Sequence, residues 1–123
     1  MVATSGGFSL SSDANQWTFY ARPDSLASQG AIFDGVCYGL NQYVATWEVR
    51  SANTLYSTTS PDGKNWSVHP ISLPPDRFPS LSGVASDNVE YKAVGHYSTS
   101  TVTTYSDLFL SSPDGINWST EVA

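Results

Sequence analysis

A repeat in the sequence limits the possible folds of this chain more than any other feature. The segment SPDGKNW at 60–66 recurs as SPDGINW at 112–118, with six of the seven positions identical. A weaker copy, SDANQW, lies at 12–17, where Asp13 again precedes Trp17 by four residues. The three motif tryptophans are 49 and 52 residues apart. A period of this length indicates a repeat architecture, in which each unit packs against its neighbours.

The residues upstream of the two complete motifs align as well. Residues 35–45 match 83–93 at a constant offset of 48, with Gly-Val at the start and Tyr-x-Ala at the end of both segments. We therefore divide the chain, taken as a single β-repeat domain of residues 1–123, into three parts. These are a half unit at 7–22, a complete unit at 31–71 and a second complete unit at 81–122.

Each unit has the composition of β-structure. Val, Thr, Tyr and Phe are frequent, and short runs are bounded by Gly, Pro, Asn and Asp. No apolar stripe of helical period is long enough for a helix of ten residues. We predict an all-β fold of about ten antiparallel strands in two and a half four-stranded units. The predicted strands are 7–12, 16–22, 31–38, 42–48, 53–60, 65–71, 81–86, 90–97, 105–112 and 116–122.

The Ser-Pro-Asp-Gly segments predict tight hairpin turns. Proline fits the second position of a type I turn, and glycine supplies the residue with positive φ. The serine hydroxyl and the aspartate carboxylate can accept backbone N–H groups within the loop. The tryptophan that follows is expected to direct its ring into the packing between sheets. We expect a structural role for the turn residues Asp13, Trp17, Ser60, Asp62, Gly63, Trp66, Ser112, Asp114, Gly115 and Trp118.

Four-stranded units of this length with an S-x-D-G-x-x-W turn resemble the Asp-box repeats of β-propellers. Such repeats occur in sialidases, in bacterial surface proteins and in phage proteins. The sialidase box, S-x-D-x-G-x-x-W, has one more residue between Asp and Gly, so the present motif is more similar to the non-enzymatic type. In that family the box is an element of the fold away from the active centre. The resemblance thus implies propeller-blade-like units and no particular activity.

Charge and composition exclude several classes of partner. Five Lys and Arg residues oppose eleven Asp and Glu, and the net charge is −6. Neither a nucleic-acid backbone nor an anionic lipid surface is an expected partner, because both bind clustered cations. No apolar run is long enough to span a membrane, and the N-terminus has no secretory signal pattern.

The sequence singles out no catalytic, cofactor or metal site. Cys37 is the one cysteine, its neighbours are apolar or aromatic, and we expect a buried, inert thiol. His69 and His96 have no further ligands at metal-binding spacing. Sialidase-like hydrolysis requires an arginine cluster, and the chain has three arginines: Arg22, Arg50 and Arg77. The three glutamates, Glu48, Glu90 and Glu121, form no evident glycosidase pair.

Several aromatic residues are candidates for contact with a ligand or a partner. Aromatics among Ser, Thr and Asn can stack on a sugar or anchor a protein interface, although they also serve as core residues. Trp47 is of most interest because its repeat equivalent is Gly95. The other candidates are Tyr43, Tyr91 and Tyr97.

Two and a half units leave hydrophobic faces that neighbours must cover, and closed propellers have at least four blades. The chain is therefore expected to form a homo-oligomer, to pack against a larger assembly, or to be part of a longer propeller. The composition has few charges and many Ser and Thr residues, which suits an external surface. We predict a non-enzymatic structural and binding module, extracellular or on a virion surface, such as a phage decoration or fibre-associated protein. The alternative is a small oligomeric lectin that holds glycans between units.

Overall fold

Three antiparallel sheets make up the fold in the computed structural model, which describes residues 1–4, 6–74, 77–101 and 104–121. In each sheet the strands pair in chain order. The first sheet contains β1 (Val2–Thr4), β2 (Gly7–Leu10) and β3 (Thr18–Ala21). The second contains β4 (Ile32–Gly39), β5 (Gln42–Val49), β6 (Thr54–Ser60) and β7 (Ser67–Ile71). The third contains β8 (Phe78–Ser86), β9 (Tyr91–Ser98), β10 (Ser106–Ser112) and β11 (Ser119–Glu121).

The helical content of the described residues is small. One helix, α1 (Asp24–Ser28), joins the first two sheets, and a 3₁₀ turn (Arg50–Ala52) follows β5. Leu26 on α1 is buried in the core. No described helix is long and apolar enough to cross a membrane.

The all-β prediction is confirmed, with differences at the edges of elements. Two four-stranded sheets correspond to the two predicted units, and β1 gives the predicted half unit a third strand. Sequence reasoning missed β1 because its three residues carry no turn signal. The strands after the box turns begin two or three residues later than predicted, at Thr18, Ser67 and Ser119. The last predicted strand extends to Val122, which lies outside the described residues.

The first strands of the second and third sheets share an irregularity. The ladder of β4 shifts register between Phe33 and Gly35, and that of β8 shifts between Leu81 and Gly83. The two β-bulges are 48 residues apart, so they occupy the same place in the repeat. The strands also lie close to one another. A Cβ atom on Gly35 would be 3.4 Å from the Gly83 Cα atom.

Two hydrophobic clusters fill the spaces between successive sheets, because alternate residues of each strand face the same side. The cluster between the first and second sheets contains the buried residues Phe8, Leu26, Ala31, Ala45, Trp47 and Val49. The cluster between the second and third sheets contains Leu55, Ile71, Leu81, Ala93, Leu108 and Leu110. The middle sheet is therefore packed on both faces, and among the described residues the two end sheets are packed on one.

Candidate functional site

The second box turn, residues 60–66, is held by two side chains. The Ser60 hydroxyl accepts the Gly63 N–H at 2.8 Å. Asp62 Oδ1 accepts the N–H groups of Lys64 and Asn65 at 2.9 and 3.0 Å. Gly63 has a φ of +76°, the left-handed conformation that the turn requires. The expected side-chain hydrogen bonds are present, and one of them occupies the N–H of Asn65, where the next strand was predicted to begin.

The third box turn, residues 112–118, repeats this geometry. Ser112 accepts the Gly115 N–H at 2.8 Å, and Gly115 has a φ of +78°. Asp114 Oδ1 accepts the N–H groups of Ile116 and Asn117 at 2.9 and 2.8 Å.

The first box turn, residues 11–17, repeats the backbone N–H bonds to serine and aspartate with a different sequence. Asp13 Oδ1 accepts the N–H groups of Asn15 and Gln16 at 2.8 and 3.0 Å. The Ala14 N–H bonds to Ser11 at 2.8 Å, so Ser11, six residues before Trp17, takes the serine position. Ala14 replaces glycine and still has a φ of +63°. This turn therefore keeps the conformation without the residue best suited to it.

Hydrogen bonding makes the three box aspartates more acidic than usual. The amide donors of Asn65 and Lys64 lower the pKa of Asp62, and those of Gln16 and Asn15 lower the pKa of Asp13. Desolvation opposes ionisation of Asp114, but the donors at positions 117 and 116 outweigh it and lower its pKa to about 2. All three carboxylates are ionised at neutral pH.

The tryptophans of the second and third turns reach across to the preceding sheet. The Trp66 ring stacks on Phe8 of β2, with centroids 4.2 Å apart and an angle of 14°. Trp118 Nε1 lies 3.1 Å from the Ser57 hydroxyl of β6. Phe8 and Ser57 occupy equivalent positions in their sheets. Phe8 lies nine residues before Trp17, and Ser57 lies nine residues before Trp66. The two turns thus make equivalent contacts with the sheet that precedes them. We call each of these sets of contacts a joint.

Further contacts close the joint between the second and third sheets. Ser57 donates a hydrogen bond to the Gly115 carbonyl at 2.7 Å, and the Gln42 side chain donates to the Asp114 carbonyl at 2.8 Å. A Cβ atom at Gly115 would lie 2.9 Å from a Val44 methyl group and 3.1 Å from the Thr59 methyl group.

Trp17 does not make the contact that we expected of a box tryptophan. Its side chain is 46% exposed. The reason is positional, because the first sheet has no preceding sheet among the described residues. The ring has no described sheet to pack against.

Two of the four aromatic contact candidates are buried, and for them the sequence interpretation was wrong. Trp47 has no exposed surface, packs edge-on against Phe8 and donates from Nε1 to Thr58 at 3.1 Å. Tyr91 is equally buried, and its hydroxyl donates to the Gly39 carbonyl at 2.5 Å. Both are core residues that no ligand or partner can touch in this conformation.

Tyr43 and Tyr97 remain accessible in part. Tyr43 lies beside exposed Tyr38, with ring centroids 4.8 Å apart. It also lines a cleft of about 350 Å³ between the first and second sheets, together with Tyr20, Asp62 and Lys64. The Tyr97 ring carries the Arg77 guanidinium 4.2 Å above its centroid, which occupies one of its faces.

A pair of carboxyl groups that sequence reasoning missed lies at the bulge of β4. Asp34 is the extra residue there, and it shares a hydrogen bond with Glu48 of β5. Glu48 is 2% exposed and accepts from Arg50 at 2.7 Å. Burial, together with the charge and hydrogen bond of Glu48, raises the pKa of Asp34 to about 8. At neutral pH the Asp34 carboxyl is therefore mostly protonated. An Asp inside the apolar run IFDGVCY was the sequence signal for this pair.

Some buried oxygens at this site have no hydrogen-bond partner among the described residues outside the pair. They are Asp34 Oδ2, Glu48 Oε2 and Thr46 Oγ1. Thr46 and Glu48 project from the same face of β5, which is turned toward the third sheet. The repeat equivalents of Asp34 and Glu48 in the third sheet are Ser82 and His96, so the acid pair occurs once.

The remaining titratable groups are dispersed. His69 is bonded to Thr59 at 3.0 Å, and burial lowers its pKa. His96 packs against Tyr105 with centroids 4.5 Å apart. Burial raises the pKa of the Cys37 thiol to about 11, which leaves it un-ionised and a weak nucleophile at neutral pH. Within the described part of the chain, no group of three His, Cys, Asp or Glu residues is arranged to hold a metal ion.

The three arginines likewise have separate partners. Arg22 donates to the Ala31 carbonyl at 2.7 Å, Arg50 pairs with Glu48, and Arg77 lies on Tyr97. They do not share one carboxylate-binding cluster.

Comparisons with protein-family models, with curated proteins and with solved structures find no match for this chain.

Proposed function

We propose that this protein is a non-enzymatic structural and binding module of propeller-like repeats, which assembles with other chains on a virion surface. The observation that carries the proposal is the pair of uncovered faces at the two ends of the row of sheets. Phe19 on the first sheet is 59% exposed, and Val94 on the third is 44% exposed. Exposed apolar patches of this kind are typical of protein interaction sites.

The chemistry of the titratable groups supports the same proposal. General acid–base catalysis requires a carboxyl group within hydrogen-bond reach of the substrate. Glu48 is buried, and its partner Asp34 is partly buried beside it. The box aspartates are bonded to their own turns. These carboxyl groups are therefore poorly placed to exchange a proton with a substrate.

The virion location is tested by the composition of purified particles. Virions banded on a density gradient, from the organism that encodes the chain, should contain it at a fixed ratio to the major capsid protein. Mass spectrometry of the bands provides the measurement. Absence from the particles, with the chain found only in the unbound fraction of the lysate, would contradict the virion role.

The cleft beside Tyr43 favours a glycan as a second type of ligand. It combines aromatic rings with the hydroxyl, carboxylate and ammonium groups that bind sugars, and it lies between two repeats. A glycan array probed with the wild type and with Tyr43→Ala tests this role. Signals that the substitution abolishes would support a lectin, whereas no signal at high protein concentration would exclude it.

A further inference from the structure

The two end faces of the molecule are the two halves of a joint that the chain already makes twice. The outer face of the first sheet is defined by pairing, because residues opposite one another in a ladder point to the same side. Phe8 is buried and paired with Ala3 and Tyr20, so these residues face the second sheet. Val2 and Phe19, which both pair with Ser9, face outward.

The same reasoning defines the outer face of the third sheet. Leu108 and Leu110 are buried against the second sheet, so Phe109 between them points outward. Phe109 is paired with Val94, and Val94 is paired with Gly83. An apolar hollow of about 290 Å³ lies on this face, lined by Gly83, Val84, Ala85, Lys92 and Val94.

Each end face holds one unpaired half of the joint. Trp66 packs on Phe8, and Trp118 packs on Ser57. We call Phe8 and Ser57 the receiving residues, and each lies nine positions before the box tryptophan that belongs to its own sheet. In the third sheet that position is Phe109. At the other end, Trp17 is a box tryptophan for which the described residues supply no receiving sheet.

A second position in the joint is also complementary. Gly63 lies against Leu10, and a Cβ atom added there would be 3.2 Å from a Leu10 side-chain carbon. Gly115 lies against Thr59, and the corresponding distance is 3.1 Å. Ala14 takes the glycine position in the first turn and does carry a Cβ atom. Its counterpart on the third sheet, equivalent to Leu10 and Thr59, is Ser111, which lacks their methyl groups. Ser111 is thus smaller than its equivalents Leu10 and Thr59, and the residue that it would meet, Ala14, is larger than the glycines that those two meet.

We propose that a second copy of this chain docks head to tail, with Trp17 of one copy on Phe109 of the next. The inference rests on the proposed role as an assembly module and specifies its partner. The contact is heterologous, because the two faces differ, and it therefore builds a ring or an open filament.

The test uses substitutions that damage one face at a time. Wild-type protein should have an average mass well above the 13.2 kDa of one chain in light scattering at micromolar concentration. Trp17→Asp and Phe109→Asp should each weaken association by about 30-fold or more, as expected for a buried aromatic anchor. Mixing the two variants should restore a dimer and nothing larger, since each retains the face that the other has lost.

Controls separate interface effects from folding. Val89→Asp adds the same charge at a residue that is 77% exposed in the β8–β9 hairpin, and it should keep the wild-type mass. Circular dichroism checks that each variant is folded. If Phe109→Asp does not fold, Val94→Asp damages the same face at a more exposed position.

Three outcomes would overturn the head-to-tail contact. They are a monomeric wild type at every soluble concentration, a wild-type mass for both folded aspartate variants, and homodimers of either variant alone. The proposed virion role fails on a different measurement, the absence of the chain from purified particles. A monomer that is nevertheless present in virions would therefore leave that role intact.

Discussion

The second and first box turns share the backbone N–H bonds to serine and aspartate but have different surroundings. In the second turn Gly63 is buried and Trp66 stacks on Phe8. In the first turn Ala14 and Trp17 are exposed. The comparison separates what the motif does for its own loop from what it does for the neighbouring sheet. The serine and aspartate hold the loop in both places, whereas glycine and tryptophan are needed where another sheet is present.

The largest expected effect is the loss of a joint tryptophan. Trp66→Ala should reduce the free energy of unfolding by about 3 kcal/mol, because it removes a ring stacked on a buried phenylalanine. Trp17→Ala should change it by less than about 0.5 kcal/mol in the monomer, as for most exposed positions. Urea denaturation at a concentration where the protein is monomeric measures both. Equal losses for the two substitutions would show that the joints do not stabilise the fold.

The same comparison explains which features could be predicted from sequence. The box turns are local, with serine, aspartate, glycine and tryptophan within seven residues, and the loop geometry follows from their side-chain chemistry. The Asp34–Glu48 pair depends on a bulge that sets the register between two strands. No local pattern determines that register.

Trp47 shows how repeat alignment can mislead. Because its equivalent is Gly95, we named Trp47 as a candidate for contact with a ligand or a partner. In the structure Trp47 fills the space beside Phe8, and a Cβ atom at Gly95 would come within 2.7 Å of the Leu81 Cα atom. The contact that excludes a side chain at Gly95 lies within its own sheet, because Leu81 is the ladder partner of Gly95 on β8.

Removal of a box carboxylate should have the next largest effect. Asp114→Ala deletes the acceptor of two backbone N–H groups and should cost about 1–2 kcal/mol. Asp114→Asn is the matched control, since its amide oxygen can still accept them, and it should cost less. Asp13→Ala should cost less than Asp114→Ala, because the first turn supports no neighbouring sheet. A larger loss at Asp13 would contradict this account.

The pH dependence of the Asp114 contribution has a definite sign. Its pKa is lowered in the folded state, so its stabilisation is present above its unfolded pKa of about 3.8 and is lost as the pH falls toward 2. The difference in unfolding free energy between the wild type and Asp114→Asn should therefore shrink below pH 4. If this difference stayed constant with pH, ionisation of the Asp114 carboxylate would not be its cause.

At the bulge of β4, the pH dependence of stability should have the opposite sign to that at Asp114. Asp34 has a raised pKa of about 8, so its favourable contribution is complete below its unfolded pKa of about 3.8 and is lost as the pH rises to 8. Asp34→Asn keeps a hydrogen-bond donor for Glu48 without the charge. It should raise the thermal midpoint by about 3 °C or more at pH 8.5, and by less at pH 5. Ser82→Asn, at the equivalent bulge, is the control and should show no such pH dependence.

The smallest expected effect concerns the residue that distinguishes the first turn from the other two. Ala14 has a φ of +63°, which costs an L-residue about 1 kcal/mol relative to glycine. Ala14→Gly should relieve this strain and, after the added chain entropy of glycine, raise stability by at most about 0.5 kcal/mol. Ser12→Gly, at an exposed neighbour without positive φ, should gain nothing. Thermal unfolding at low concentration compares the two, and a destabilised Ala14→Gly would mean that the relieved strain is smaller than the chain entropy that glycine adds.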